Sequence, residues 1–359
     1  MINFLRLLLW PFSLIYGLVI AIRNYLYDWG ILKSQKFDLP VIVVGNLAVG
    51  GTGKSPLTEY LIRLLKDSYK IATLSRGYGR KTKGFIYVEK TDSADRVGDE
   101  PLQFKNNYPE ITVAVCEDRV TGVEKLKNSN EVILLDDAFQ HRALIPGFSI
   151  LLLDYANLFK PRLLLPAGNF RDSFVQRKRA DIIIVSKSPS TLSEEKRREA
   201  LRKVKALTNQ QVLFSSLSYG IPYCASDNLE NYGNLEKGRD LKQDGCILLV
   251  TGIANPKPLL NYLQEKWNTV KILSYADHHH YTRKDIETII RTFKAIKSDR
   301  KYFLTTEKDF QRLKIYLKDP VFAELPIWII PVEVSFNDRD KQLLSALIFK
   351  TVARDTLKR

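Results

Sequence analysis

The 359-residue chain is 45% hydrophobic and 26% charged, which at roughly 150 residues per domain suggests two domains and excludes a disordered or disulfide-stapled polymer. Lys and Arg number 55 against 40 Asp and Glu, a formal net charge of +15 that calls for an anionic partner, whether nucleotide, nucleic acid or membrane surface. The three cysteines, Cys116, Cys224 and Cys246, form no CxxC pair, which argues against structural zinc and for a reducing compartment.

From Leu7 to Ile22 the chain carries no charge and is bounded by Arg6 and Arg23. As a helix it would reach about 24 Å, short of the roughly 30 Å hydrocarbon core of a bilayer, and Pro11 and Gly17 interrupt it. Trp10, Tyr16, Tyr25, Tyr27 and Trp29 are aromatics favoured at the membrane interface. The segment reads as a helix lying on, or dipping into, one leaflet; a core helix of a soluble domain is the alternative. A cleaved leader would need a small-x-small site before Arg23, and none follows. The remainder is expected in the cytosol, peripheral to the inner face of the membrane through this helix and its basic charge.

After Pro40, short β-branched runs alternate with longer periodic segments, the signature of βαβ units around a parallel sheet. Candidate strands are Val41 to Val44, Lys70 to Leu74, Ile111 to Cys116, Val132 to Leu135, Ser149 to Leu153 and Asp181 to Val185, with helices at Pro56 to Lys66, Glu100 to Asn106 and Arg119 to Lys127. A boundary is placed after the charged helix Glu194 to Ala206. A second set follows at Gln211 to Leu217, Cys246 to Thr251, Val270 to Tyr275, Lys301 to Thr305 and Ile327 to Val332. The expected class is α/β: an N-terminal membrane-associated helix (1–35), a P-loop NTPase-like parallel-sheet domain (36–208) and a smaller α/β domain (209–359). Ser226 to Asp244 is polar and reads as an exposed insertion or a small hairpin.

The string from Val41 to Ser55, VIVVGNLAVGGTGKS, is a buried strand, a glycine-rich turn, then Lys54 and Ser55 opening an apolar helix. The amides of Gly50, Gly51, Thr52 and Gly53 can curl around a phosphate, helped by the helix N-terminus. Lys54 would reach the β- and γ-phosphates and the Ser55 hydroxyl would ligate Mg²⁺. Ala48 stands where the P-loop pattern has its first glycine. A second strand, Val132 to Leu135, ends in Asp136 and Asp137, the arrangement by which P-loop enzymes hold metal beside nucleotide. Adjacent carboxylates repel unless a cation compensates them, so Mg²⁺ is assigned to Ser55 with Asp136 or Asp137.

The segments Ser75-Arg-Gly-Tyr-Gly-Arg80, Gly98-Asp-Glu-Pro101, Asp136-Asp-Ala-Phe-Gln-His-Arg142, Leu165-Pro-Ala-Gly168, Ala276-Asp-His-His279 and Thr306-Glu-Lys-Asp309, with the phosphate loop from Gly45, resemble the tetraacyldisaccharide 4'-kinase family of lipid A biosynthesis. The resemblance covers nearly the whole chain. It implies transfer of the ATP γ-phosphoryl group, with Mg²⁺, to the 4'-hydroxyl of a tetraacylated, 1-phosphorylated glucosamine disaccharide at the inner membrane of a Gram-negative cell. Two departures stand out: Ala138 replaces a glycine of the acidic motif, and Asp172 follows Arg171 where the family usually has Glu.

By that resemblance Asp99 is the general base, with His278 as its partner, and Lys54 completes the catalytic set; read alone, Asp99 before Glu100-Pro101 is better explained as a helix cap than as a catalytic group. Asn46, Arg76, Arg119, His141 and Arg171 are candidates to contact the substrate or its phosphates. The expected partners are the glycolipid and the membrane surface, without nucleic acid, and the chain is expected to act as a monomer. The basic charge leaves open a nucleic-acid-associated P-loop protein, but no RNP, helix-turn-helix or zinc-finger pattern appears. A membrane scaffold with a nucleotide switch would bind ATP without phosphorylating a lipid.

Overall fold

The computed structural model describes residues 4–225, 241 and 244–356, so the expected insertion from Ser226 to Asp244 lies almost wholly outside the described residues. In chain order the strands are β1 (Gln35–Lys36), β2 (Val41–Asn46), β3 (Ile71–Ser75), β4 (Ile86–Tyr87), β5 (Thr112–Val115), β6 (Val132–Asp136), β7 (Leu144–Ile145), β8 (Phe148–Asp154), β9 (Ile182–Ser186), β10 (Gln211–Tyr219), β11 (Tyr223–Cys224), β12 (Cys246–Thr251), β13 (Thr269–Ser274), β14 (Lys301–Thr306), β15 (Ile327–Ile330) and β16 (Val332–Phe336).

The larger sheet runs β16-β10-β9-β8-β2-β6-β3-β5-β4. From β10 to β5 every pairing is parallel. The inner strands β2, β6 and β9 are buried along their whole length, which explains their unbroken apolar runs: helices cover both faces. On one face lie Leu57, Leu61 and Ile62 of the helix Lys54–Leu65 and Leu344, Ile348 and Val352 of the last helix. On the other lie Val123 and Leu126 with Ala200 and Val204.

The expected division at residue 208 differs from the observed pairing. β10 joins the first sheet beside β9, and β16 returns to pair antiparallel with β10. The helix Asp338–Thr356 then packs on the first core. The second sheet, β11-β15-β14-β12-β13, is thus inserted between β10 and β16. The single strand expected at Ile327 to Val332 is split by Pro331, which has no N–H for a ladder; the pieces on either side belong to different sheets.

The N-terminal helix Trp10–Asp28 is turned inside out. Pro11 lies in its first turn, where a missing N–H costs nothing, so the helix is not interrupted there. Its buried residues are the polar Ser13 and Asn24. Ser13 Oγ donates to the Leu164 carbonyl at 3.1 Å, Tyr16 to the Arg171 carbonyl at 2.8 Å, and Asn24 Nδ2 to Asp172 Oδ1 at 3.0 Å. Trp10, Phe12, Leu14, Ile15, Leu18, Val19, Ile22 and Tyr25 are all at least half exposed. No helix among the described residues is long and apolar enough to cross a membrane.

Candidate active site

The carboxyl ends of β2, β6 and β9 lie together at one edge of the first sheet, the edge where open parallel sheets bind ligands. From β2 the chain passes into the phosphate loop, where Gly50 and Gly53 adopt φ of 104° and 87°, values a side chain would resist. Gly45 permits a close approach of another kind: a β-carbon there would sit 2.5 Å from that of Phe139. Lys54 Nζ then lies 3.7 Å from Asp137.

The two acidic residues at the end of β6 have different surroundings. Asp137, in the left-handed region at φ 48°, receives Arg171 through both Nη atoms, at 3.1 and 2.7 Å. Burial would raise its pKa, but Lys54, Arg171 and Arg119 hold it below the usual carboxylate range. Asp136 accepts from Thr58 at 3.3 Å through Oδ1, while its buried Oδ2 has no hydrogen-bond partner. Burial, then Glu100 and Asp137, push it up to about 7. A buried carboxylate with one orphaned oxygen, beside the Ser55 hydroxyl and the Glu100 carboxylate it donates to at 2.9 Å, is a donor set of hard oxygens that fits Mg²⁺. No group of three or more His, Cys, Asp or Glu among the described residues could hold a metal alone, so nucleotide phosphate oxygens would have to complete the shell.

The third component is assembled from both units. Asp99, 3% exposed, opens the helix Asp99–Asn107. Its Oδ1 accepts from the Glu100 N–H at 2.9 Å and its Oδ2 lies 3.1 Å from His278 Nδ1. His278 belongs to the second unit, follows β13, and is held at φ 58°. Lys308, in the helix Glu307–Leu313 after β14, lies 3.1 Å from His278 Nε2 and 3.1 Å from Glu100. Arg312, one turn further on, pairs with Asp99. Since Lys308 can only donate, Nε2 accepts from it, while Nδ1 lies between Asp99 Oδ2 at 3.1 Å and Arg312 Nη2 at 3.0 Å. Burial and Lys308 lower the pKa of His278, leaving the ring neutral near pH 7. Burial would raise Glu100, but Lys308, Lys54 and His278 hold it down to about 2.

Glu100, Lys308 and Arg312 are site residues that sequence reasoning missed. Glu100 and Lys308 sit inside motifs quoted for the resemblance; Arg312 lies outside them, and only its helical spacing from Lys308 points to the same face. Among the expected substrate contacts, Arg76 and the neighbouring Tyr78 are exposed, with the Tyr78 ring edge-on to His278 at 4.8 Å. His141 is half-buried, 3.5 Å from Asp118. Asn46 and Arg119 are placed differently from expectation. Asn46 is 0% exposed, donating to Thr52 Oγ1 at 2.8 Å and accepting from Arg171. Arg119 is buried against the carbonyls of Cys116, Glu117 and Asp137. Both brace the site from inside. Asp172, 0% exposed, fastens the N-terminal helix. Ala138 is not in the left-handed region; Asp137 takes that position in the turn.

Residues 5–351 match the family model for tetraacyldisaccharide-1-P 4'-kinase. The chain belongs to that family. It is therefore a kinase of lipid A biosynthesis that uses ATP and Mg²⁺. The tetraacyldisaccharide 4'-kinase of Phocaeicola vulgatus is 42% identical over 353 residues, spanning 97% of this chain and 95% of that one. That of Flavobacterium johnsoniae is 45% identical over 317 residues, 87% and 88% respectively. The crystal structure of a family member from Aquifex aeolicus, in complex with ATP, superposes with a TM-score of 0.72 at 30% identity, covering 97% of this chain and 99% of that one. The 4'-kinase motifs thus sit on a P-loop fold with a second, smaller α/β unit.

Proposed function

We propose that the chain transfers the γ-phosphoryl group of ATP to the 4'-hydroxyl of tetraacyldisaccharide 1-phosphate in the cleft between its two units, with Asp99 taking the hydroxyl proton. The observation that carries the reading is the bridge through Glu100: its carboxylate touches Ser55 of the phosphate loop and Lys308 of the second unit, and its neighbour Asp99 touches His278. Nucleotide-binding and proton-accepting groups are thereby kept within one assembly. The loop amides and Lys54 hold the ATP phosphates. Ser55 and Asp136 would hold Mg²⁺, which supplies neutralisation of phosphate charge when bound. Asp137 keeps Lys54 and Arg171 in place. His278 Nδ1 and the guanidinium of Arg312 flank the Asp99 carboxylate, which takes the proton of an aligned hydroxyl.

The enzyme reaches its substrate at the membrane surface. The outward-facing apolar row of the N-terminal helix is the kind of surface that marks a membrane contact, and the helix docks on Arg171 and Asp172. Acyl chains can then stay in the bilayer while the sugar enters the cleft. Incubation with ATP, Mg²⁺ and tetraacyldisaccharide 1-phosphate should yield a lipid heavier by one phosphate, and none with Lys54→Ala. Absence of that product from folded, ATP-binding protein would overturn the reading.

A further inference from the structure

The phosphate loop is held from outside by two consecutive residues with no role so far. β9 ends at Ser186, which is 2% exposed and donates from Oγ to the Thr52 carbonyl at 2.7 Å. The next residue, Lys187, adopts φ 54°, a conformation that its β-carbon disfavours. In that conformation its ammonium donates to the Gly51 carbonyl and lies 3.6 Å from Asp154 at the end of β8. Two successive carbonyls of the loop therefore each have a donor, both supplied by the same neighbouring strand end.

In a trans peptide the carbonyl and the N–H point in opposite directions. Fixing the Gly51 carbonyl turns the Thr52 N–H the other way, and fixing the Thr52 carbonyl does the same for the Gly53 N–H. Among the described residues neither N–H has a protein acceptor, as suits groups kept for an anion. Asn46 holds Thr52 from a third side, through its hydroxyl oxygen. We propose that Ser186 and Lys187 are positioning residues that clamp the Gly51 and Thr52 carbonyls outward and so keep the phosphate cradle formed before nucleotide arrives. Lys187 thus acts through the loop backbone and not as a second phosphate-binding lysine. Without the clamp, part of the ATP binding energy goes into ordering the loop, so affinity falls while the chemical step keeps its groups.

The proposal rests on the phosphate-loop reading, which the unaltered enzyme tests alone by binding ATP far more tightly than adenosine. If that preference holds, titration of the full-length protein with ATP and with adenosine tests the clamp. Ser186→Ala and Lys187→Met should each weaken ATP about five- to tenfold, the worth of one hydrogen bond, and leave adenosine within about twofold, because adenosine carries no phosphate. Ser186→Thr, which keeps the hydroxyl, should restore ATP affinity, and kcat at saturating ATP should stay within about threefold of the parent. Equal weakening of ATP and adenosine, or unchanged ATP affinity in Lys187→Met, would overturn the proposal. A fall in kcat with unchanged ATP affinity would also overturn it. Lys187 is partly exposed, so its substitution keeps the test available if Ser186→Ala fails to fold.

Discussion

Lys308 of the inserted unit lies 3.1 Å from Glu100 of the phosphate-loop unit, in a partly buried ion pair that also touches His278. One ammonium thus links the carboxylate beside Ser55 to the imidazole beside Asp99. Replacing it leaves the partly buried Glu100 without its principal cation.

Lys308→Met should accordingly lower kcat by on the order of tenfold to a hundredfold, the usual effect of removing one preorganised charge. Steady-state kinetics would check this, with ATP affinity measured separately. The linkage is wrong if the variant turns over at the parental rate.

A second relationship spans the same interface. Gln103 Nε2 donates to Glu59 at 3.0 Å and to Glu307 at 3.3 Å, and Asn107 Nδ2 reaches both, at 3.1 and 2.9 Å. Arg63, Tyr108, Tyr223 and Glu333 surround the pair. Burial and the proximity of Glu307 push Glu59 up to about 8, and burial pushes Glu307 up to about 7. The folded protein therefore holds protons that the unfolded chain releases near its ordinary 4.5. This stabilisation is complete below the unfolded value and is lost as pH rises through 7 to 8. Thermal midpoints should fall between pH 6 and pH 8.5, with a slope of at most about 1.4 kcal/mol per pH unit per proton. Glu307→Gln should flatten the profile; an unchanged slope would remove the pair as its source.

Phe12, Ile15 and Val19 project from the outward face of the N-terminal helix. Changing all three to Ser should reduce partition onto anionic vesicles by a hundredfold or more, taking about 1.5 kcal/mol per apolar side chain. Co-flotation with phosphatidylglycerol vesicles measures it directly. Retained flotation would mean that another surface makes the contact.

The strands were legible because a parallel strand buried on both faces reads as an unbroken apolar run, and β2, β6 and β9 are buried throughout. Which sheet a strand joins is not written in its own residues. β10 and β16 read like their neighbours, yet close the first sheet around the inserted second one; Pro331 was the local mark of that switch. Lys54, Ser55 and the Asp pair were legible as motifs. The difference between Asp136 and Asp137 was not, since it depends on Lys54 and Arg171 arriving from other segments. Arg312 was missed because its partner Asp99 lies in the other unit.

The most direct measurement is single-turnover transfer of labelled γ-phosphate from ATP to tetraacyldisaccharide 1-phosphate by the parent and by Asp99→Asn, with ATP affinity measured in parallel. If Asp99 accepts the hydroxyl proton, the substitution slows transfer by about a hundredfold or more and leaves ATP bound within about threefold of the parent. Transfer by Asp99→Asn at the parental rate would contradict the assignment, and so would a loss of ATP binding that matches the loss of rate.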